Sequence, residues 1–133
     1  MVENISYLAY LAGWKIVGAL PEKVAYRLFQ RLAVSMYRRN GKSVQRLRKN
    51  LSIVKPGLSH VDLELLVLSG LQSYLRYWCD TFRIHHWSHE RIEATVSLSN
   101  DHLLRDPMAE GKGVVIALPH SGNWDHAGAY FCQ

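Results

Sequence analysis

The chain has 133 residues, 48% of them apolar and 20% charged, so it can bury one modest core and has no room for a second domain. Its formal net charge of +5 favours a polyanionic partner, either a membrane surface with acidic lipid or a nucleic acid. The two cysteines, Cys79 and Cys132, are too few and too far apart for a disulfide framework or a zinc knuckle. They fit a reducing cytosolic setting.

The first apolar segment, residues 5–20, is rich in aromatic and aliphatic side chains. It contains a lysine and falls short of the ~20 apolar residues that cross a bilayer. Because Glu3 precedes it in place of a cationic cluster, a secretory signal is also disfavoured. The segment predicts an amphipathic helix. This helix either lies in the headgroup interface, with Tyr7, Tyr10 and Trp14 as anchors, or docks on the domain core.

Two further helices are predicted by the spacing of apolar residues. The longer begins at Pro21 and ends at Asn40 and Gly41, which favour a helix start and a helix stop. The shorter follows Ser43 and ends at Pro56. The predicted buried face of the longer helix consists of Val24, Ala25, Leu28, Leu32 and Met36. Both helices are therefore amphipathic, with basic side chains turned outward.

These two helices carry most of the positive charge. Ten of the sixteen Lys and Arg residues lie between Lys23 and Lys55, with no Asp or Glu among them. Two interpretations stay open: a solvated surface of amphipathic helices, or contact with anionic lipid. Nucleic acid is disfavoured, because neither interleaved aromatic residues nor a nucleic-acid-binding motif accompanies the charge.

The longest predicted helix begins near Ser59, a capping residue with Asp62 in the first turn, and reaches about Phe82. Its core face consists of apolar residues at helical spacing: Leu63, Leu66, Val67, Leu71, Tyr74 and Trp78. Aromatic side chains so placed more often indicate a core than a ligand site.

Three histidines in residues 84–90 invite comparison with a metal site. His85 and His89 lie four residues apart, a workable pair on a helix. No carboxylate or cysteine accompanies them in a known ligand pattern. Farther along, His126 follows Asp125, but neighbouring residues on a helix point about 100° apart and do not readily share one ion. We therefore predict no metal and no bound cofactor.

The last third of the chain predicts strands. Apolar residues alternate over residues 91–98, which is typical of a strand near a sheet edge. A helix over residues 101–110 follows and closes at Gly111. Residues 114–118 are an apolar, β-branched run that suits a strand buried on both faces of a parallel sheet. Strand, helix and strand in this order form a βαβ unit.

The predicted fold class is therefore α/β. Residues 1–90 form the helical, membrane-associating part of a single domain. Residues 91–133 form the start of a mostly parallel sheet. Two strands leave this sheet incomplete, because a parallel sheet needs several paired strands and helices over both of its faces.

A cluster of polar residues follows the second predicted strand, at the end where ligands bind in open α/β sheets. Its chemical pair is His120 and Asp125. Across a turn that opens a helix, the imidazole can act as a general base for a hydroxyl or water. The carboxylate fixes its tautomer and stabilises the imidazolium. We therefore predict that His120 and Asp125 are catalytic.

The segment His120-Ser-Gly-Asn-Trp-Asp125 resembles the His-x4-Asp motif of glycerolipid-type acyltransferases. Leu118 and Pro119 precede it, and Ser-Tyr-Leu-Arg-Tyr-Trp-Cys-Asp-Thr-Phe-Arg stands upstream at residues 73–83. With these residues the chain is similar over nearly its whole length to the actinobacterial phosphatidylinositol mannoside acyltransferases, which are relatives of the lipid A late acyltransferases.

This resemblance implies transfer of an acyl group from acyl-CoA to a sugar hydroxyl of a membrane glycolipid, with His120 as the base and Asp125 as its partner. It implies a fold of the glycerolipid acyltransferase type. It also implies a peripheral protein on the cytoplasmic face of the plasma membrane, in contact with anionic phospholipid. If the longest helix packs beside such a site, Arg76 and Arg83 can neutralise a phosphate.

Family members also carry a downstream motif with an acidic residue and an arginine, which these 133 residues do not include. We therefore expect the chain by itself to be an inactive fragment. A function of another class fits the basic helices as well: a non-catalytic, membrane-surface lipid-binding module in which His120 and Asp125 do no chemistry. The sequence indicates no oligomeric state.

Overall fold

The computed structural model describes residues 2–117 and 121–132. Over these ranges all regular secondary structure is helical. The helices are α1 (Val2–Ala19), α2 (Glu22–Arg39), α3 (Lys42–Val54), α4 (His60–Arg83), α5 (His89–Thr95), α6 (His102–Ala109) and α7 (Trp124–Phe131), with a 3-10 turn at Ile84–His86. The chain divides into two compact units, residues 1–83 and residues 84–133.

The predicted α/β fold class is wrong for the described part of the chain. Most of the predicted strand 91–98 belongs to α5, and the second predicted strand forms no ladder at its described residues, 114–117. Helix α5 forms because the Ser88 side chain accepts a hydrogen bond from the backbone N–H of Arg91 at 3.3 Å. Such a cap satisfies an N–H group that the helix itself leaves unpaired. An apolar run without a neighbouring strand does not form a stable sheet.

The first unit is built on α4, against which α1, α2 and α3 all pack. One buried cluster joins α1, α2 and α4 and includes Val17, Phe29 and Cys79. A second joins α2, α3 and α4 and includes Ala33 and Val67. The helices predicted for this half of the chain are confirmed, and the core follows the length of α4.

The buried face of α2 differs from the predicted one. Three predicted core residues, Val24, Leu28 and Leu32, are 46%, 42% and 44% exposed. The prediction is confirmed for Ala25, which is buried, and for Met36, which packs partly buried against the core. The other buried residues of α2 are Phe29 and Ala33. Alanine has no side chain beyond Cβ, so two alanines on either side of Phe29 let the helix lie close to α4. Packing therefore turns α2 by about one residue, or ~100°, from the orientation that apolar size alone favours.

Helix α1 docks on α4 through one face. The ring centroids of Tyr10 and Phe82 lie 5.4 Å apart, and those of Trp14 and Phe82 lie 6.1 Å apart. Tyr7 is 64% exposed. Tyr10 also contacts the core but is 44% exposed, so docking accounts fully for Trp14 and in part for Tyr10, while Tyr7 stays on the surface. None of the helices in the described ranges combines the length and the hydropathy of a membrane span.

The two arginines of α4 that could meet a phosphate have other partners. The buried guanidinium of Arg83 donates hydrogen bonds to the carbonyl oxygens of Val17, at 2.7 Å, and Leu20, at 2.6 Å. These groups lie at the carboxyl end of α1, where carbonyls lack helical partners and a cation complements the helix dipole. Arg76 forms an ion pair with Asp80 at 3.8 Å. Arg83 therefore holds the end of α1 against α4.

A polar network links α2, α3 and α4. Glu64 accepts hydrogen bonds from the Arg48 guanidinium, at 2.5 and 3.0 Å, and from the Tyr37 hydroxyl, at 2.7 Å. These hydrogen bonds lower the pKa of Glu64 from the ordinary 4.5 to about 2, and the bond from Arg48 has the largest effect. Because both donors favour the charged carboxylate, the network stabilises the packing of the three helices more strongly when Glu64 is ionised.

We expect this network to make folding acid-sensitive. With its pKa lowered in the folded chain, Glu64 contributes its full stabilisation above pH 4.5 and loses it as the pH falls toward about 2. Urea unfolding of the wild-type chain should therefore show a steeper loss of unfolding free energy over this interval than the Glu64→Gln variant. Equal pH slopes for the two chains would show that the ion pair does not form in solution.

Candidate active site

The predicted catalytic segment enters α7 through a tight turn. Gly122 has a φ of +66°, in the left-handed region where a side chain is strained. Asn123 then caps α7, since its side-chain oxygen accepts a hydrogen bond from the backbone N–H of His126 at 3.1 Å. Such a cap is what a polar residue before a helix supplies. The prediction that this polar cluster opens a helix is confirmed.

Of the two predicted catalytic residues, the structure places one. Asp125 is half-buried in the first turn of α7, where the positive end of the helix dipole favours a carboxylate. His120 lies outside the described residues. The proximity of the two side chains stays a prediction.

His126, the neighbour of Asp125, links α7 to α5. Its Nε2 atom lies 3.0 Å from the Thr95 hydroxyl, and that hydroxyl also lies 2.7 Å from the carbonyl oxygen of Arg91. Because a hydroxyl carries one proton, which the carbonyl accepts, the Thr95 oxygen accepts the second bond and His126 donates it from Nε2. In this arrangement Nε2 is engaged with the Thr95 hydroxyl. His126 is thus a structural residue, a role that its position in the sequence does not reveal.

Trp87 also contacts His126 and packs against Arg91 of α5. The ring of His126 meets it edge to face, with centroids 4.9 Å apart, and the guanidinium of Arg91 lies 4.2 Å from the Trp87 ring centroid. Edge-to-face rings and a cation over an indole are both favourable. The aromatic and basic residues around Trp87 therefore hold α5 against α7, and so fix the helix that carries Asp125.

An apolar groove runs past the other end of α7. Leu104, Met108 and Phe131 line both of two adjoining cavities, with volumes of about 450 and 480 Å³. Asp101 and Arg105 stand at one side and pair with each other at 2.8 Å. A groove with apolar walls and a few polar groups at its edge can take an alkyl chain.

The histidines of residues 84–90 form no metal site in the structure. The rings of His85 and His86 lie 3.9 Å apart, and burial, followed by the nearby His86, lowers the pKa of His85. Among the residues that the structure describes, no three His, Cys, Asp or Glu side chains are placed to hold one metal ion.

Comparison with known proteins gives consistent results. The family model described as bacterial lipid A biosynthesis acyltransferase matches residues 2–133. A phosphatidylinositol mannoside acyltransferase of Mycolicibacterium smegmatis is 37% identical over 98% of this chain and 42% of its own length. Proteins of the same name from two strains of Mycobacterium tuberculosis are 38% identical over 94% of this chain and 40% of their own length. No solved structure matches the chain.

The chain thus spans about two fifths of the length of these relatives. The family match, by contrast, extends over all of the chain except its first residue. The chain belongs to the bacterial lipid A biosynthesis acyltransferase family.

Proposed function

We propose that this protein transfers a fatty acyl group from acyl-CoA to a sugar hydroxyl of a membrane glycolipid, with a phosphatidylinositol mannoside as the acceptor. The observation that carries the proposal is the 37–38% identity, over 94–98% of the chain, to proteins named phosphatidylinositol mannoside acyltransferase. The apolar groove lined by Leu104, Met108 and Phe131 supports it, because such a surface suits an acyl chain.

In the proposed reaction His120 is the general base. Its imidazole takes the proton from the acceptor hydroxyl as the hydroxyl oxygen attacks the thioester carbonyl. Collapse of the tetrahedral intermediate forms the new ester and breaks the carbon–sulfur bond. The proton leaves with the CoA thiolate as a thiol. Asp125 orients the imidazole and stabilises its cationic form, and its place in the first turn of α7 gives the carboxylate a fixed support.

We further propose that the protein works as a peripheral protein on the cytoplasmic face of the plasma membrane, in contact with anionic phospholipid. Exposed apolar residues on α2, such as Leu28 and Leu32, stand beside exposed arginines of the same helix, such as Arg27 and Arg31. Helices of this composition bind the boundary between headgroups and acyl chains. Helix α4, against which α2 packs, supports this surface of α2.

The test is an acyl transfer assay with labelled acyl-CoA and a purified phosphatidylinositol mannoside, on a chain of the relatives' length that carries residues 1–133. We expect labelled glycolipid to form only when the acceptor is present, with one CoA thiol released for each ester. Release of free fatty acid at the same rate with and without acceptor would indicate a thioesterase. Lipid binding without consumption of acyl-CoA would favour the non-catalytic lipid-binding module.

A further inference from the structure

A basic groove lies between α2 and α4 in the first unit. Its volume is about 670 Å³, and it is lined by four arginines of α2, Arg27, Arg31, Arg38 and Arg39, and by Gln72 of α4. Among the residues that the structure describes, no Asp or Glu lines it. The four guanidinium groups therefore face one concave surface without a carboxylate to neutralise them.

Two other arginines of the first unit have a carboxylate partner, which these four lack in the described part of the chain. Arg48 pairs with Glu64, and Arg76 pairs with Asp80, whereas Arg27, Arg31, Arg38 and Arg39 form no ion pair within the described ranges. Like charges spaced four apart on a helix are destabilising. A bound anion relieves that repulsion, and the planar fork of a guanidinium matches the oxygens of a phosphate.

The groove continues into a polar extension. A second cavity of about 370 Å³ shares Gln30 and Gln72 with the first and adds the hydroxyls of Ser69 and Ser73. Neutral amides and hydroxyls both donate and accept hydrogen bonds. Arg76 and Tyr26 also line this cavity, and both contact Asp80. The neutral groups that remain complement the hydroxyl groups of a polyol.

An apolar stripe borders the arginines. Val24, Leu28 and Leu32 are between 42% and 46% exposed. Around the axis of α2, Val24 and Leu28 lie within about 60° of Arg31, and Leu32 follows at about 100° from it. Binding of a soluble phosphate compound would leave these three aliphatic side chains exposed to water. Binding of a membrane lipid would bury them, because the lipid headgroup lies directly above an apolar layer.

We propose that the groove between α2 and α4 binds the headgroup of an anionic membrane phospholipid. The phosphodiester lies on Arg27, Arg31 and Arg38, the polyol lies on Gln72 and Ser73, and the apolar stripe enters the boundary of the acyl chains. The inference rests on the peripheral membrane contact in the proposed function. It does not rest on the chemistry of His120, so binding without acyl-CoA tests it separately.

The experiment measures binding of the 133-residue chain to vesicles of phosphatidylcholine alone, with phosphatidylglycerol, or with an equal fraction of phosphatidylinositol. The groove variant is Arg27→Gln/Arg31→Gln/Arg38→Gln. The control variant removes the same charge from exposed positions of α3 that do not line the groove, as Lys42→Gln/Arg46→Gln/Lys49→Gln. A third variant, Gln72→Ala/Ser73→Ala, removes the polyol contacts and leaves the charge intact.

We expect the groove variant to weaken binding to both anionic vesicles by roughly 100-fold, and the control variant by less than about 10-fold. The wild-type chain should prefer phosphatidylinositol to phosphatidylglycerol by about 5-fold, the value of one hydrogen bond. The third variant should lose that preference alone. Equal losses in the groove and control variants would overturn the site in favour of diffuse attraction. Equal binding to both anionic lipids would overturn recognition of the inositol ring, because phosphatidylglycerol presents only the two hydroxyls of glycerol.

Discussion

Replacing His120 by alanine is expected to lower acyl transfer by roughly 10²–10⁴, the usual contribution of a general base. The measurement is turnover at saturating acyl-CoA, in a chain of the relatives' length that carries residues 1–133. Without the imidazole, the acceptor hydroxyl has no group to take its proton. Binding of acyl-CoA should be unchanged, because a base that acts only on the acceptor proton affects turnover and not donor affinity.

Three other histidines serve as controls for this change. His85→Ala and His89→Ala remove imidazoles for which the proposed reaction has no role, and they should leave turnover nearly intact. His126→Gln can keep a hydrogen bond to the Thr95 hydroxyl and should also preserve turnover. Near-normal turnover of the His120→Ala enzyme would contradict its assignment. Metal-dependent activity that is lost on replacing His126 would indicate a hydrolase.

Replacing Phe29 by alanine is expected to lower the free energy of unfolding of the chain by about 3–5 kcal/mol, the range for a large aromatic residue lost from a core. Phe29 is 8% exposed and lies in the cluster between α1, α2 and α4. The matched changes Leu28→Ala and Leu32→Ala, at residues that are 42% and 44% exposed, should each remove less than about 1 kcal/mol.

Urea unfolding of the three variants measures this difference. The comparison distinguishes the observed orientation of α2 from the one that its larger aliphatic residues suggest. A Leu28→Ala variant as destabilised as Phe29→Ala would show that Leu28 faces the core. The exposed apolar stripe beside the arginines of α2 would then not exist.

The helices of the first unit could be predicted because their signals are local. Apolar spacing, the stop at Asn40 and the start at Ser59 each depend on a few neighbouring residues. The structure bears them out: Asn40 has a left-handed φ of +46°, and the hydroxyl of Ser59 accepts the N–H of Asp62 at 3.1 Å. Helix caps and helical periodicity each depend on residues that are close together in the sequence.

The orientation of α2 could not be predicted in the same way. Its sequence offers two adjacent apolar stripes, one of aliphatic residues that includes Leu28 and one that combines Phe29 with small residues such as Ala33. Periodicity alone favours the larger aliphatic residues. Close packing against α4 selects the alanines, and that choice depends on a partner more than thirty residues away along the chain.

The predicted strands failed for a related reason. The alternation of apolar residues over residues 91–98 is compatible with a strand, but the cap at Ser88 and Glu90 in the first turn of α5 are helix signals in the same stretch. Strand pairing needs a second segment in register, and the run at residues 114–117 meets none in the described part of the chain. The cap at Ser88 therefore favours a helix in this segment, which has no strand partner in the described residues.

The candidate site was predicted in part. The turn at Gly122 and the start of α7 follow from polar and glycine residues next to an apolar helix, and both are observed. The structural role of His126 was not predictable, because its partners Trp87 and Thr95 are distant in sequence. The pairing of His120 with Asp125 rests on the resemblance of the motif.

A double-mutant cycle on turnover tests most directly whether His120 and Asp125 act as one catalytic unit. We expect Asp125→Asn to lower turnover substantially and by no more than His120→Ala, because the asparagine keeps the shape but not the charge that stabilises the imidazolium. The double variant should be little slower than His120→Ala alone. If instead the two single losses multiply in the double variant, His120 and Asp125 act independently and do not form a catalytic unit.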